Sequence, residues 1–257
     1  MGKKSISFFL AFLFTISSCV TAFASESVSD YDGRVLISSE EVCVAGTTVV
    51  VNSYYDQGFR VRTYKFIDNT ITEQQMDLAM ETLSSTVSNT DNVSNAESKA
   101  EPRLQDPIVH NSKSFSDSDR SSTLIGFELS QSGTFYSGAR DGYFYLWVGD
   151  ESVTRAGYPH PEITPDSITI HQTLTTNGIG VSWSWPPSVS ATEKSRTFTL
   201  GPYPDVNFMD AEWAKSGASS RSSVKFTLTA SSRGDVQIKN KVYALSTSNS
   251  FSYHEDV

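Results

Sequence analysis

The stretch Ser167–Trp185 constrains the fold of this chain more than any other. Apolar and polar residues alternate with period two, the signature of a strand with one buried face. Asn177-Gly178 sits at its centre, and both residues tolerate the positive φ that a tight type I′ turn requires. Folding about that dipeptide pairs Leu174 with Val181, Gln172 with Trp183 and Ile170 with Trp185 on one face. His171, Thr173, Ser182 and Ser184 fall on the other. The expectation is an antiparallel hairpin ended by Pro186-Pro187.

A second hairpin is expected over 222–245. Val224, Phe226, Leu228 and Ala230 alternate with Lys225, Thr227 and Thr229, and Val236, Ile238 and Val242 alternate with Gln237, Lys239 and Lys241. Ser231–Asp235 supplies the loop, where Arg233-Gly234-Asp235 reads as a turn. Turn signals recur at intervals of about 8–12 residues from 122 onward, the pattern of an all-β sandwich or barrel built from antiparallel hairpins. Residues 122–257 are therefore read as one all-β domain.

Upstream, 25–84 reads as a small β-rich segment. Arg34–Ile37, Thr47–Asn52 and Phe59–Ile67 are strand-like, with a hairpin turn at Asp56-Gln57-Gly58. Phe59, Val61, Thr63 and Lys65 alternate with Arg60, Arg62, Tyr64 and Phe66, and polar residues on both faces predict an edge strand. Thr72 followed by Gln75 is a capping-box pattern. Met76, Leu78, Met80 and Leu83 continue it at helical spacing, which predicts a helix over 72–84. Residues 85–121 are dominated by Ser, Asn, Asp, Thr, Lys and Glu, with Pro102 and Pro107 as breakers. Such a stretch buries too little apolar surface to offset its chain entropy, and a disordered linker is expected.

The first 24 residues read as an export signal. Lys3 and Lys4 form a positive n-region, Ser5–Val20 an apolar core, and Ala22-Phe23-Ala24 a small-residue cleavage site. The remaining chain of about 230 residues is long enough for one or two domains. Losing Lys3 and Lys4 takes the formal charge from −9 to −11. That acidity opposes binding to nucleic acid and to anionic membrane surfaces. Beyond the leader no segment is apolar enough for a transmembrane helix. Cleavage removes Cys19 and leaves Cys43, so no intrachain disulfide framework is expected. Cys43 in Val42-Cys43-Val44 reads as a half-buried strand residue beside Glu40 and Glu41. Ile16-Ser17-Ser18-Cys19 resembles a bacterial lipobox, so lipid anchoring through Cys19 is the alternative to release. The short Lys-rich leader and the lack of disulfides suit a bacterial secreted protein.

Chemical motifs are sparse. His110, His160, His171 and His254 form no metal-ligand spacing, and no cofactor is expected. Asp30-Tyr31-Asp32-Gly33 fails as a calcium loop, because Val28 and Ser39 occupy the end positions that need Asp and Glu. No G-x-S-x-G elbow is present, which leaves a hydrolase only as a triad assembled in space. Aromatic residues are the surplus. Exposed Trp and Tyr serve extracellular β-modules as platforms for sugar rings, and Tyr143, Tyr145, Trp147, Trp183 and Trp185 are the candidate ligand-binding residues. Tyr143 and Tyr145 share one strand face, with Phe144 on the other. For Trp183 and Trp185 the competing reading is core, given Ile170 and Leu174 opposite. The expectation is a non-enzymatic binding or interaction module at the cell envelope or outside the cell, with a cell-wall glycan or envelope protein as partner. The alternatives are a membrane-active toxin using the amphipathic run 222–245 as a β-hairpin, and the motif-less hydrolase.

Overall fold

The computed structural model describes residues 21–23, 34–68, 70–90, 107–178, 181–185, 194–214, 216–221 and 225–254. The chain is nearly all β and antiparallel. In order run β1 (Thr21–Phe23), β2 (Val35–Val44), β3 (Thr47–Asp56), β4 (Phe59–Phe66) and one helix, α1 (Glu73–Thr90). Then follow β5 (Ile108–Arg120), β6 (Glu128–Arg140), β7 (Tyr143–Val148), β8 (Val153–Gly157) and β9 (Ser167–Asn177). The last six are β10 (Val181–Trp185), β11 (Ser195–Pro204), β12 (Phe208–Glu212), β13 (Ser216–Ser220), β14 (Lys225–Ile238) and β15 (Lys241–His254).

The strands form two sheets. The larger has the order β1-β2-β3-β4-β12-β8-β6-β7-β13-β10, with β5 also paired to β6. The smaller has the order β11-β9-β14-β15. Apolar side chains of both meet in shared clusters. One joins Val61, Leu129, Ala156 and Met209 of the larger sheet to Ile168, Ile170, Val236 and Leu245 of the smaller. A second joins Phe135, Leu146 and Val148 to Leu174, Phe226 and Leu228. Between them lies a polar layer. Thr154 Oγ1 and Ser232 Oγ are 2.7 Å apart, Trp213 Nε1 donates to Thr154 Oγ1 at 3.2 Å, and Thr247 Oγ1 donates to Gln131 Oε1 at 3.1 Å. Most buried polar groups in folded proteins are held by such partners.

The expected hairpin at Asn177-Gly178 does not form. β9 pairs with β11 and β14, while β10 pairs with β13 in the other sheet. The dipeptide ends β9, but the chain then crosses between sheets. Ile168, Ile170, Gln172 and Leu174 are all buried, so β9 serves as a central strand with a neighbour on each edge. Two long ladders outweigh one local turn preference. The alternation within β9 holds as expected.

The second hairpin is real but turns elsewhere. Ile238 pairs with Lys241, Lys239 carries φ 47°, and the ladder runs unbroken through Ser231–Asp235. Arg233-Gly234-Asp235 is therefore mid-strand. Arg233 Nε donates to Asp235 Oδ1 at 2.7 Å. Gly234 sits at a close approach of the sheets: a Cβ there would lie 2.9 Å from Leu129 Cδ1 and 3.1 Å from Ala156 Cβ of the facing sheet, so the Leu129 side chain would have to shift.

The expected linker is also corrected. Residues 91–106 lie outside the described set, but 108–120 form β5, laddered along β6 from Ile108↔Ala139 to Arg120↔Glu128. Polar composition does not forbid a strand whose neighbour supplies backbone partners and whose anchor, Phe115, packs its ring tilted against Phe135, with centroids 4.6 Å apart. Asp117 and Asp119 of β5 also accept from the backbone N–H groups of Ser248 and Ser246, at 3.2 and 3.5 Å, covering the β15 edge.

β4 is not an edge strand. It pairs with β3 and β12, which makes 34–66 one continuous sheet with the strands beyond residue 107. The Tyr64–Phe66 end of its polar face is covered because α1 packs there. Met76, Ala79, Met80 and Leu83 of α1 join Val49, Tyr64, Phe66 and Phe208 in a third cluster. The turn at Gln57-Gly58 forms as expected, with φ of 52° and 87°. So does the capping box: the Thr72 backbone N–H donates to Gln75 Oε1 at 2.9 Å, and the Gln75 N–H to Thr72 Oγ1 at 3.3 Å. The helix runs past its expected end at 84 to Thr90. Cys43 lies in β2 but is exposed rather than half-buried, because its neighbours Val42 and Val44 take the face toward the third cluster.

Two acids beside this helix tune stability with pH. Burial, then the nearby Glu73, pushes the Asp77 carboxyl above its ordinary value. Burial pushes Glu128 up as well, with the Arg120 guanidinium pulling the other way. A carboxyl raised in the folded state favours folding when protonated, so its contribution is full below the unfolded value and is lost as pH rises through the folded one. The melting temperature should fall as pH rises just above the ordinary carboxylate range. Glu128→Gln should flatten that fall, and an unchanged slope would count against the assignment.

Candidate functional site

The outer face of the larger sheet, beside α1, carries a connected set of charged and polar side chains. One rung crosses four adjacent strands. Register places Arg62 of β4 opposite Asp210 of β12, Asp210 opposite Arg155 of β8, and Arg155 opposite Ser130 of β6. Directly opposed residues share a face, so the alternation that sends Val61, Ala211, Thr154 and Gln131 inward sends this rung outward.

The rung is built tightly. Arg155 Nε donates to Asp210 Oδ1 at 2.6 Å and Nη2 to Oδ2 at 2.7 Å, a fork-to-fork pair. Tyr64 Oη donates to the same Oδ2 at 3.0 Å. Arg155 Nη2 also reaches Ser84 Oγ at 2.7 Å and so ties the rung to α1. Arg62 pairs with Glu212 at 3.2 Å. Burial works against the Arg155 charge, but Asp210 outweighs it, and the guanidinium holds its proton more tightly than usual. Burial, and then the Asp210 charge, push the Tyr64 hydroxyl well above its usual value. Both groups stay protonated across the neutral range, so the site presents fixed charges and donors.

Around the rung lies an open cleft of about 540 Å³, whose rim includes Ser132, Asp150 and Glu151. Its volume falls in the range of small-molecule sites, about 300–1,000 Å³. Asp150 and Glu151 also border a second depression of about 280 Å³, with Tyr136, Trp147, Pro107 and Val109. There Tyr136 stacks on Trp147 with ring centres 5.5 Å apart and 20° between planes. Tyr136 Oη donates to Glu151 Oε1 at 2.8 Å, and that bond raises the tyrosine pKa. The two depressions share the Asp150–Glu151 corner.

The five aromatic residues singled out by sequence divide. Tyr143, Tyr145 and Trp147 share one face of β7. Tyr143 is exposed and lies under the Arg221 guanidinium at 5.4 Å, and the Tyr145 ring is 6.4 Å from it. Trp147 is 5% exposed, and its ring stacks beside that of Tyr136, its cross-strand partner. Trp183 and Trp185 are in β10, with backbone positions opposite Ala218 and Gly217. Their side chains lie outside what is described. Sequence reasoning missed Arg155, Asp210 and Tyr136. The one local signal was the Arg60-Arg62-Tyr64 side of β4, which marks a polar sheet face.

A hydroxyl–imidazole–carboxylate line occurs on the smaller sheet. His171 Nδ1 is 3.0 Å from Thr199 Oγ1, and Nε2 is 3.3 Å from Asp235 Oδ2. It lies on an open strand face, and Arg233 already engages both oxygens of that carboxylate.

No protein family and no curated protein matches the chain. Among solved structures it is similar to a pore forming protein, at 7% sequence identity over 57% of this chain and 95% of that one, with a TM-score of 0.16. It is similar also to a structure titled as manganese lipoxygenase of Gaeumannomyces graminis with partial zonadhesin of Komagataella pastoris. That match has 10% identity, covers 96% of this chain and 79% of the other, and has a TM-score of 0.20. Likeness at this level leaves the site to its own chemistry.

Proposed function

We propose that the protein is a secreted, non-enzymatic binding module that takes a carbohydrate chain, such as a cell-wall glycan, on the outer face of its larger sheet. The observation that carries this reading is the Arg62–Asp210–Arg155–Ser130 rung opening into a cleft that adjoins the Tyr136–Trp147 stack. A sugar ring offers two things: hydroxyls around its edge and apolar C–H groups on its faces. Serine hydroxyls, carboxylates and guanidinium groups answer the first, and a supported tyrosine ring answers the second. Because Arg155 and Asp210 already hold one another, the surface needs little reordering to bind, and preorganisation favours affinity.

The test is titration with soluble cell-wall and plant-type oligosaccharides, followed by calorimetry. Saturable heat is expected with at least one of them. Tyr136→Ala should weaken it at least about tenfold, equivalent to about 1.4 kcal/mol. Glu151→Gln should weaken it less. Equal affinity in the wild type and both variants would reject this face as the site.

A further inference from the structure

We propose that the β14–β15 hairpin inserts into lipid bilayers, so that several copies of the protein together form a membrane-spanning barrel. This goes beyond carbohydrate binding and does not depend on it. The hairpin pairs 14 residues with 14, in register from Lys225↔His254 to Ile238↔Lys241. A tilted transmembrane strand needs about 9–11 residues.

Its two faces differ as the walls of such a barrel must. On one, Thr227, Thr229 and Ser231 of β14 meet Ser252, Ser250 and Ser248 of β15 in successive hydroxyl pairs of 2.7, 2.8 and 2.9 Å. Lys225, Arg233 and Asp235 lie in that same row. The other row has Phe226, Leu228, Ala230, Gly234 and Val236 against Tyr253, Phe251, Leu245 and Tyr243. Its polar members, Ser232, Thr247 and Asn249, carry no charge. All the charge of β14 from Lys225 to Ile238 is thus on the hydroxyl side, and β15 has none from Val242 to Tyr253. Aromatic rings stand near both ends of the apolar row, as they do at the two interfaces of membrane barrels. The hydroxyl row would line a wet lumen and the other would face lipid. One hairpin leaves unpaired edges, which a bilayer does not tolerate, so closure requires about eight strands or more from several copies.

Insertion requires β14 to leave its ladder with β9, which runs from Thr227↔Asn177 to Gln237↔Ser167, and the apolar row to leave both clusters. Against the larger sheet the middle of the hairpin makes polar contacts, Ser232 to Thr154 and Thr247 to Gln131. In that layer Gln172 Oε1 and Asn249 Nδ2 are buried with no hydrogen-bond partner among the described residues. On the β15 edge the hydrogen bonds to β5 come from the Lys113, Asp117 and Asp119 side chains.

The experiment is dye release from phosphatidylcholine–cholesterol vesicles by the purified protein. Thr154→Cys with Ser232→Cys, in a Cys43→Ser background, ties the hairpin to the larger sheet. The expected result is release by the wild type, loss of release when the pair is oxidised, and recovery on adding reductant. Absence of release by the wild type, or release indifferent to the cross-link, overturns the proposal. Ser250→Glu serves as a second variant that leaves the buried row untouched. It should shift single-channel selectivity toward cations, and unchanged selectivity would overturn the lumen assignment.

Discussion

Replacing Asp210 with alanine will destabilise the protein by about 3–5 kcal/mol, the range for removing one partner of a buried ion pair. Asp210 accepts from Arg155 twice and from Tyr64 once, and its side chain is 8% exposed. Without it the Arg155 guanidinium keeps its charge, because no neutral form is accessible near neutral pH. Tyr64, 1% exposed, loses its acceptor at the same time. Asp210→Asn should recover part of the loss, since an amide oxygen still accepts one bond. Chemical denaturation of the three proteins checks this. A loss under about 1 kcal/mol for alanine would mean that the pair behaves like an exposed one.

Gly133→Ala will destabilise by at least about 1–3 kcal/mol through overpacking, because the obstruction includes the Ser152 backbone. β6 changes partners at this residue, from β8 through Ser132 to β7 from Phe135. Ser152 fills the gap, accepting at Oγ from the Thr134 N–H at 3.1 Å, while its carbonyl accepts from Trp213 N–H at 2.7 Å. A Cβ on Gly133 would lie 2.0 Å from Ser152 Oγ and 2.7 Å from its Cα, at a φ of 157°. The strain falls between Ser132 and Tyr136, both at the surface proposed to bind carbohydrate. The variant should therefore lose affinity as well as stability, measured by calorimetry and thermal melting on one preparation. Wild-type stability would show that β6 has slack at this crossing.

What could be read in the sequence was local. Thr72 with Gln75, the Gln57-Gly58 turn and the period-two alternation of β9 and β14 depend on neighbours within a few residues, and each formed. Asn177-Gly178 misled because a turn preference worth a local bond competes with ladders to β11 and β14 from far along the chain. Gly234 misled for a related reason. Glycine marks a turn or a close approach equally well, and only the facing Leu129 and Ala156 decide between them. β5 was hidden because its stability comes from β6 and from one phenylalanine. The site was harder still. Arg62, Arg155 and Asp210 are each unremarkable in sequence and become one rung only through the β4-β12-β8-β6 order. The β7 aromatics were visible as a cluster, but that Trp147 stacks against Tyr136 depends on the β6–β7 register.

Co-sedimentation of the protein with isolated bacterial cell wall and with insoluble polysaccharides tests carbohydrate binding on the larger sheet. Saturable binding to at least one of them is expected, weakened by Tyr136→Ala and unaffected by a change on the opposite sheet such as Thr173→Ala. Protein that stays in the supernatant with every polymer, or binding that follows Thr173 rather than Tyr136, would contradict it.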